Sequence, residues 1–285
     1  MYQEFYGLKS RPFDLTPDPR FLLLTGRHRE ALSTLQYALS GHRGLALVVG
    51  EAGTGKTTLI HAALEKRSEG LPLLLSNPAL TRAEFLEFLA EGFNLPADAA
   101  TSKTRCVSAL TRVLKERHAA GVVAALIIDE AQCLPDELLE EVRLLANIET
   151  PQEKLLSIIL VGQPEIAERL NRPSQRQIKQ RVGLRSTLTP LDQTETAAYI
   201  ATRVQVAGGT CDSLFTPDAI AAIYEHAAGI PRTISVICDN ALVTGFALDW
   251  RPVDRDVILE VCRDLDLLRV ESDASATMAR RTGAA

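Results

Sequence analysis

A lysine and a threonine stand directly behind a glycine-rich stretch, Gly50-Glu51-Ala52-Gly53-Thr54-Gly55-Lys56-Thr57, and complete the pattern G-x-x-x-x-G-K-[ST]. In that spacing, small residues let successive backbone N–H groups turn inward around phosphates, with the positive end of the following helix beneath them. Lys56 would reach the β and γ phosphates and the Thr57 hydroxyl would hold magnesium. The chemistry is that of a nucleoside triphosphate site binding ATP with Mg2+, with Gly50 to Thr58 as its phosphate-binding stretch. The competing reading is a glycine-rich turn with its lysine in solvent.

A second group is Asp129-Glu130, which ends the apolar run Ala124-Ala-Leu-Ile-Ile128. A carboxylate at the C-terminal end of a buried strand stands in the crevice where open α/β sheets bind ligands. Asp129 is then placed to hold magnesium and Glu130 to orient and activate an attacking water. An ordinary helix start, where acids are favoured, is the other reading of the pair. The string Asp129-Glu130-Ala131-Gln132 is similar to the acid motif of some helicases, but those carry two nucleotide folds and this chain has length for one.

Three further residues fit a hydrolytic set. Gln163 follows the run Ile158 to Gly162 and could bond the γ-phosphate or the water, or be a plain polar loop residue. Arg232 opens a helix after Gly229-Ile-Pro231, and Arg181 precedes the expected last strand, Leu184 to Leu188. Arg181 lies in a basic stretch with Arg169, Arg172, Arg176, Lys179 and Arg185. Such a run is a solvated face in most proteins, or here a group touching the nucleotide of a neighbouring subunit.

These residues need elements to carry them. Short apolar runs at Leu45 to Val49, Leu71 to Leu75, Val122 to Ile128 and Leu155 to Val161 have the character of strands buried on both faces. Helical patterns at Thr57 to Lys66, Thr81 to Glu91, Lys103 to Ala119 and Pro135 to Ile148 alternate with them. The alternation predicts an α/β fold, a parallel sheet sandwiched by helices. After Pro190 the pattern is helical throughout: Thr194 to Val206, Thr216 to Ala227, Pro231 to Leu248 and Asp254 to Leu265. Thr216 followed by Pro217 reads as a helix cap with proline at the first position. The expected domains are an α/β core over 1–190, an α-helical lid over 191–267 and a disordered tail over 268–285.

The 285 residues, 46% hydrophobic, suffice for a large core. The net charge of −5 does not suit a dedicated nucleic-acid coat, though a local basic patch is compatible with it. No apolar stretch approaches the roughly 20 residues of a membrane helix, and the opening MYQEFYGLKS has no secretory pattern, so a cytoplasmic protein is expected. Five scattered cysteines without C-x-x-C spacing read as reduced, mostly buried thiols.

Together these features resemble the AAA+ ATPases. The resemblance implies a sheet of order 5-1-4-3-2, a working ring or spiral, Gln163 as first sensor, Arg181 as an arginine finger acting on the neighbour, and Arg232 as second sensor. Arg176 and Arg185 are rivals for the finger. Phe5-Tyr-Gly-Leu, Pro12-Phe13, Thr16-Pro-Asp-Pro19, His28-Arg-Glu-Ala-Leu32, Gly162-Gln-Pro164 and Gly229-Ile-Pro-Arg232 are similar to the general secretion pathway protein A group. That group is related to transposition-regulator ATPases. By the same resemblance Phe13 and Phe21 to His28 wall the adenine; a hydrophobic staple onto the core is the alternative for any one of them. Larger members continue into a membrane helix and a cell-wall-binding domain, which are not seen in this sequence. The expected role is an ATPase that assembles a secretion, pilus or exopolysaccharide export system through an envelope partner. The alternative is a DNA-binding ATPase regulating transposition or target-site choice.

Overall fold

The computed structural model describes residues 1–41, 44–65 and 70–268. The described residues form two units: Met1–Leu15 together with residues 191–268, and Thr16–Pro190.

In chain order the elements begin with the short helix α1 (Tyr2–Phe5), then α2 (Gly26–Leu39), β1 (Leu45–Gly50), α3 (Lys56–Glu65), β2 (Leu71–Leu75), α4 (Arg82–Gly92), α5 (Lys103–Ala119) and β3 (Ala124–Ile128). They continue with α6 (Asp136–Leu145), β4 (Leu156–Gly162), α7 (Pro164–Asn171), the short α8 (Arg176–Lys179) and β5 (Val182–Leu188). Helices α9 (Gln193–Val206), α10 (Pro217–Ala227), α11 (Pro231–Ala247) and α12 (Arg255–Asp264) are the last elements among the described residues.

The five strands are all parallel, in the order β2-β3-β4-β1-β5, which is the arrangement expected. Alternation along β1 explains the two layers of helices. Leu45, Leu47 and Val49 point into a cluster with Phe85, Leu89, Leu110, Leu114, Leu138 and Val142 from α4, α5 and α6. Ala46 and Val48 point the other way, into a cluster with Leu35 and Leu39 of α2 and Leu59 and Ile60 of α3. Strands buried on both faces are almost continuously apolar, so the runs were visible in the sequence. The expected third strand begins two residues later, at Ala124, and the end of the expected first helix at Lys66 lies outside the described residues. Helix α2 was not anticipated; it starts at the Thr25 cap, whose hydroxyl accepts from the His28 backbone N–H.

In the helical unit, Thr216 caps α10 by accepting from the Ala219 N–H, with Pro217 at the first position. The expected 1–190 span differs at its beginning: residues 1–15 pack with the helical unit. The cause is a buried arginine. Arg203 donates from Nε to the Pro12 carbonyl, from Nη2 to the Asp14 carbonyl (2.9 Å) and from Nη1 to Tyr199 Oη (2.9 Å). Tyr2 Oη donates to Asp239 Oδ1 at 2.6 Å and Arg251 Nη1 to the Phe5 carbonyl at 2.6 Å. From residue 269 the expected tail lies outside the described residues.

Gly229, in the Gly229-Ile-Pro231-Arg232 string, has a packing reason. Its φ is +72°, and a Cβ there would stand 1.9 Å from the Leu191 carbonyl oxygen, while the Leu191 N–H bonds the Gly229 carbonyl at 2.8 Å. Gly229→Ala therefore has to break a backbone contact and hold an unfavourable φ. A loss of roughly 2–4 kcal/mol is expected in urea unfolding. An unchanged midpoint would mean that the Leu191 backbone moves aside freely.

Candidate nucleotide site

In a parallel sheet all strand C-termini lie along one edge, and the order β3-β4-β1 makes three neighbours of the segments that follow these strands. The stretch Gly50–Thr57 leaves β1, Asp129 and Glu130 leave β3, and Gln163 leaves β4 between them. Sheet order, more than sequence spacing, brings these residues to one place.

The Gly50–Thr57 stretch is internally braced. Thr54 is fully buried and its hydroxyl donates to the Glu51 carbonyl at 2.8 Å, while Gly53 and Gly55 take φ of +78° and +91°. Glu51 and Ala52 are exposed at its tip, and α3 starts at Lys56, so the helix N-terminus and its positive dipole end open onto the loop. Thr58 is half-buried in the first turn.

Lys56 is 5% exposed and donates from Nζ to the carbonyls of Gly50 and Glu51, each at 2.9 Å. Burial lowers its pKa, opposed by the charges of Glu130, Asp129, Glu51 and Glu165 in that order. The acids partly offset the desolvation of the ammonium. Asp129, 4% exposed, accepts from the Thr57 hydroxyl at 2.7 Å and from the Glu130 N–H at 2.9 Å. Its own N–H is tied to the Leu75 carbonyl on the neighbouring strand at 2.9 Å.

A hydroxyl and a carboxylate oxygen in contact form an oxygen-only donor set of the kind hard magnesium prefers. Thr57 and Asp129 therefore fit the ion they were expected to hold.

Glu130 is half-buried, with φ +50°. Its Oε2 accepts from Gln132 Nε2 at 2.5 Å and from Gln163 Nε2 at 3.4 Å. Gln163 occupies the cap position of α7, and its backbone N–H donates to Gln132 Oε1 at 2.9 Å.

The loop, Lys56, Thr57, Asp129, Glu130 and Gln163 thus form one constellation. Arg181 is half-buried before β5, near Glu149, whose pKa is lowered by its bond to Lys154 first and by Arg181 to a smaller extent. Arg176 and Arg185 are exposed. Arg232 is exposed on the first turn of α11, in the helical unit. Phe13 is 1% exposed and makes a T-shaped contact with Phe215, ring centroids 6.0 Å apart. It is a core residue of the helical unit.

His28 carries a contact that the sequence did not signal. Its Nε2 lies 3.3 Å from the Thr54 carbonyl and its Nδ1 2.8 Å from the Thr25 hydroxyl, so the neutral tautomer protonated at Nε2 satisfies both. His28 braces the phosphate loop from α2.

Among the described residues no helix is long and apolar enough to cross a membrane. Residues 39–170 match the AAA domain family. The chain is 39% identical over 248 residues to general secretion pathway protein A of Aeromonas hydrophila, covering 87% of this chain and 45% of that protein. The chain thus spans about half the length of this relative. Solved structures with similar folds include Cdc6p of Pyrobaculum aerophilum (TM-score 0.69, 17% identity, covering 93% of this chain and 73% of that one). The ORC2 protein of Aeropyrum pernix gives a TM-score of 0.67 at 16% identity, again covering 93% and 73%.

Proposed function

We propose that the chain is an ATPase of the AAA+ type that hydrolyses Mg-ATP, uses the cycle to assemble copies of itself in the cytoplasm and acts on an envelope-machinery partner; the AAA domain match over residues 39–170 and the likeness to the relative and folds above support this. The observation that carries the hydrolytic reading is the contact set around Glu130: a carboxylate held beside the phosphate loop, between Gln132 and Gln163. The likeness to general secretion pathway protein A supports the envelope role.

Phosphates entering the loop would exchange the carbonyls of Gly50 and Glu51 for phosphate oxygens at Lys56 Nζ. Thr57 and Asp129 would hold magnesium, which when bound supplies positive charge to the β and γ phosphate oxygens. Glu130 accepts a proton from a water whose oxygen bonds the γ phosphorus, the bond to the β–γ bridging oxygen breaks, and ADP and phosphate leave. Gln163 donates its side-chain amide to the γ-phosphate or the water, Arg232 serves as second sensor and Arg181 completes the site of a neighbouring copy.

Lys56→Ala removes one charge-assisted contact with the phosphates. Its dissociation constant for Mg-ATP should rise about 10- to 100-fold, as calorimetry would measure. Wild-type affinity in that variant would exclude this loop as the nucleotide site. The reading as a whole is tested by phosphate release from the purified chain, with DNA titrated in parallel. Turnover insensitive to DNA at physiological salt supports the envelope role. DNA binding that requires ATP and weakens steeply with salt, as phosphate contacts do, would contradict it.

A further inference from the structure

We infer that Gln132 is a positioning residue for hydrolysis, a two-ended amide that orients the Glu130 carboxylate and couples it to the backbone of Gln163. This rests on the hydrolytic reading of Glu130. Gln132 is not in the expected set of site residues.

The assignment of the amide ends follows from the partners. The Gln163 backbone N–H only donates, so the group facing it at 2.9 Å is the Gln132 carbonyl oxygen. The Glu130 carboxylate only accepts when ionised, so the group facing it at 2.5 Å is the amide nitrogen. A side chain of this length that donates at one end and accepts at the other is an amide; methionine has neither function, and glutamate would set a second negative charge against Glu130.

The residue is also fixed at its root. Arg169 Nη1 donates to the Gln132 carbonyl at 2.8 Å, and Arg169 Nη2 is held by Asp136 Oδ1 at 2.5 Å. The Cys133 N–H closes the turn onto the Glu130 carbonyl at 2.8 Å. The chain of β4 leaves room for this bridge: at Gly162 a Cβ would stand 2.7 Å from Gln132 Oε1 and 3.2 Å from the Ala131 nitrogen.

Glu130 itself has a flexible side chain on a left-handed backbone. Its second amide contact, from Gln163 Nε2, is long at 3.4 Å. Gln132 is therefore the strong restraint on where the base points. Because the same amide is bonded to the Gln163 backbone, a shift of Gln163 toward a γ-phosphate is felt at Glu130.

The test compares wild type, Gln132→Met, Gln132→Asn, Glu130→Gln and the Gln132→Met/Glu130→Gln double variant of the full chain. Steady-state phosphate release and calorimetric Mg-ATP binding are measured for each. Gln132→Met should lower kcat about 10- to 100-fold, the loss expected of a misplaced base, with the ATP dissociation constant within threefold of wild type. Gln132→Asn keeps the amide but is one methylene too short to span both partners, and should lose kcat similarly; it carries the test if the methionine variant does not fold. In the Glu130→Gln background, Gln132→Met should lower turnover no further, because it acts through Glu130. Unchanged or increased kcat in both Gln132 variants, beside an inert Glu130→Gln, overturns the assignment alone. Equal losses in kcat and ATP affinity, or a full further loss in the double variant, overturn it in favour of a structural role. Wild type without turnover, or Glu130→Gln with full turnover, overturns the hydrolytic reading and this inference with it.

Discussion

Glu130→Gln should lower ATP turnover by about 10²- to 10⁴-fold, the range a positioned general base supplies, while Mg-ATP affinity stays within a few-fold of wild type. The separation follows from the geometry. Thr57 is bonded to Asp129 Oδ2, and Lys56 faces the loop carbonyls, so the groups that would hold phosphates and magnesium keep their places when only Glu130 changes. The substitution keeps the size of the side chain and replaces a proton acceptor by an amide. Its cost to folding is small, because Glu130 is half-buried and the acceptor bonded to Gln132 and Gln163 is replaced by the Gln carbonyl oxygen. Phosphate release under saturating ATP reads the loss. Turnover at wild-type rate would remove Glu130 from the chemistry.

Arg181→Ala should abolish turnover to a similar or greater degree, about 10³- to 10⁵-fold for an arginine finger, with ATP affinity again preserved. The sheet makes this an effect between copies. β5 runs parallel to β1, with Leu45 beside Val182 and Gly50 beside Leu188. Arg181 therefore stands at the N-terminal end of β5, while the phosphate loop starts at the C-terminal end of β1. At about 3.3 Å per residue the length of the strand separates them by roughly 15–20 Å, beyond the reach of an arginine side chain. Arg181 can touch a nucleotide only on another copy. Mixing Arg181→Ala with Glu130→Gln should then restore partial turnover, since one kind of interface in the mixture pairs an intact Glu130 with an intact Arg181. No recovery on mixing, with Arg176→Ala or Arg185→Ala showing the complementing behaviour, would transfer the role to that residue.

What could be read from sequence and what could not separate along physical lines. Strands covered on both faces are almost continuously apolar, so β1, β3 and β4, the last interrupted only by the buried Ser157, announced themselves, and parallel pairing followed from the helices between them. The phosphate loop is one continuous stretch whose chemistry lies in its own backbone, and Thr216 caps α10 through a bond three residues long. These are local.

Contacts between distant residues left no such trace. Arg203 reads as one more charge on an amphipathic helix, yet it is buried and holds the carbonyls of Pro12 and Asp14, which is what carries residues 1–15 into the helical unit. Gly229 belongs to a recognisable string, but its necessity comes from the Leu191 carbonyl. His28 meets Thr54 across 26 residues, and Gln132 meets Gln163 across a strand crossing. Phe13 shows the limit of residue type: an aromatic side chain suits a base or a core equally, and its contact with Phe215 is visible only in the fold.

The central claim, that ATP bound at this site orders copies of the chain, is tested most directly by the mass of the Glu130→Gln protein in solution with Mg-ATP and with Mg-ADP. The account predicts a multi-subunit assembly in ATP that falls back to smaller species in ADP, and that Lys56→Ala, added to the same protein, prevents it. The same mass in ATP, in ADP and without nucleotide, in a protein shown by calorimetry to bind both, would contradict the claim.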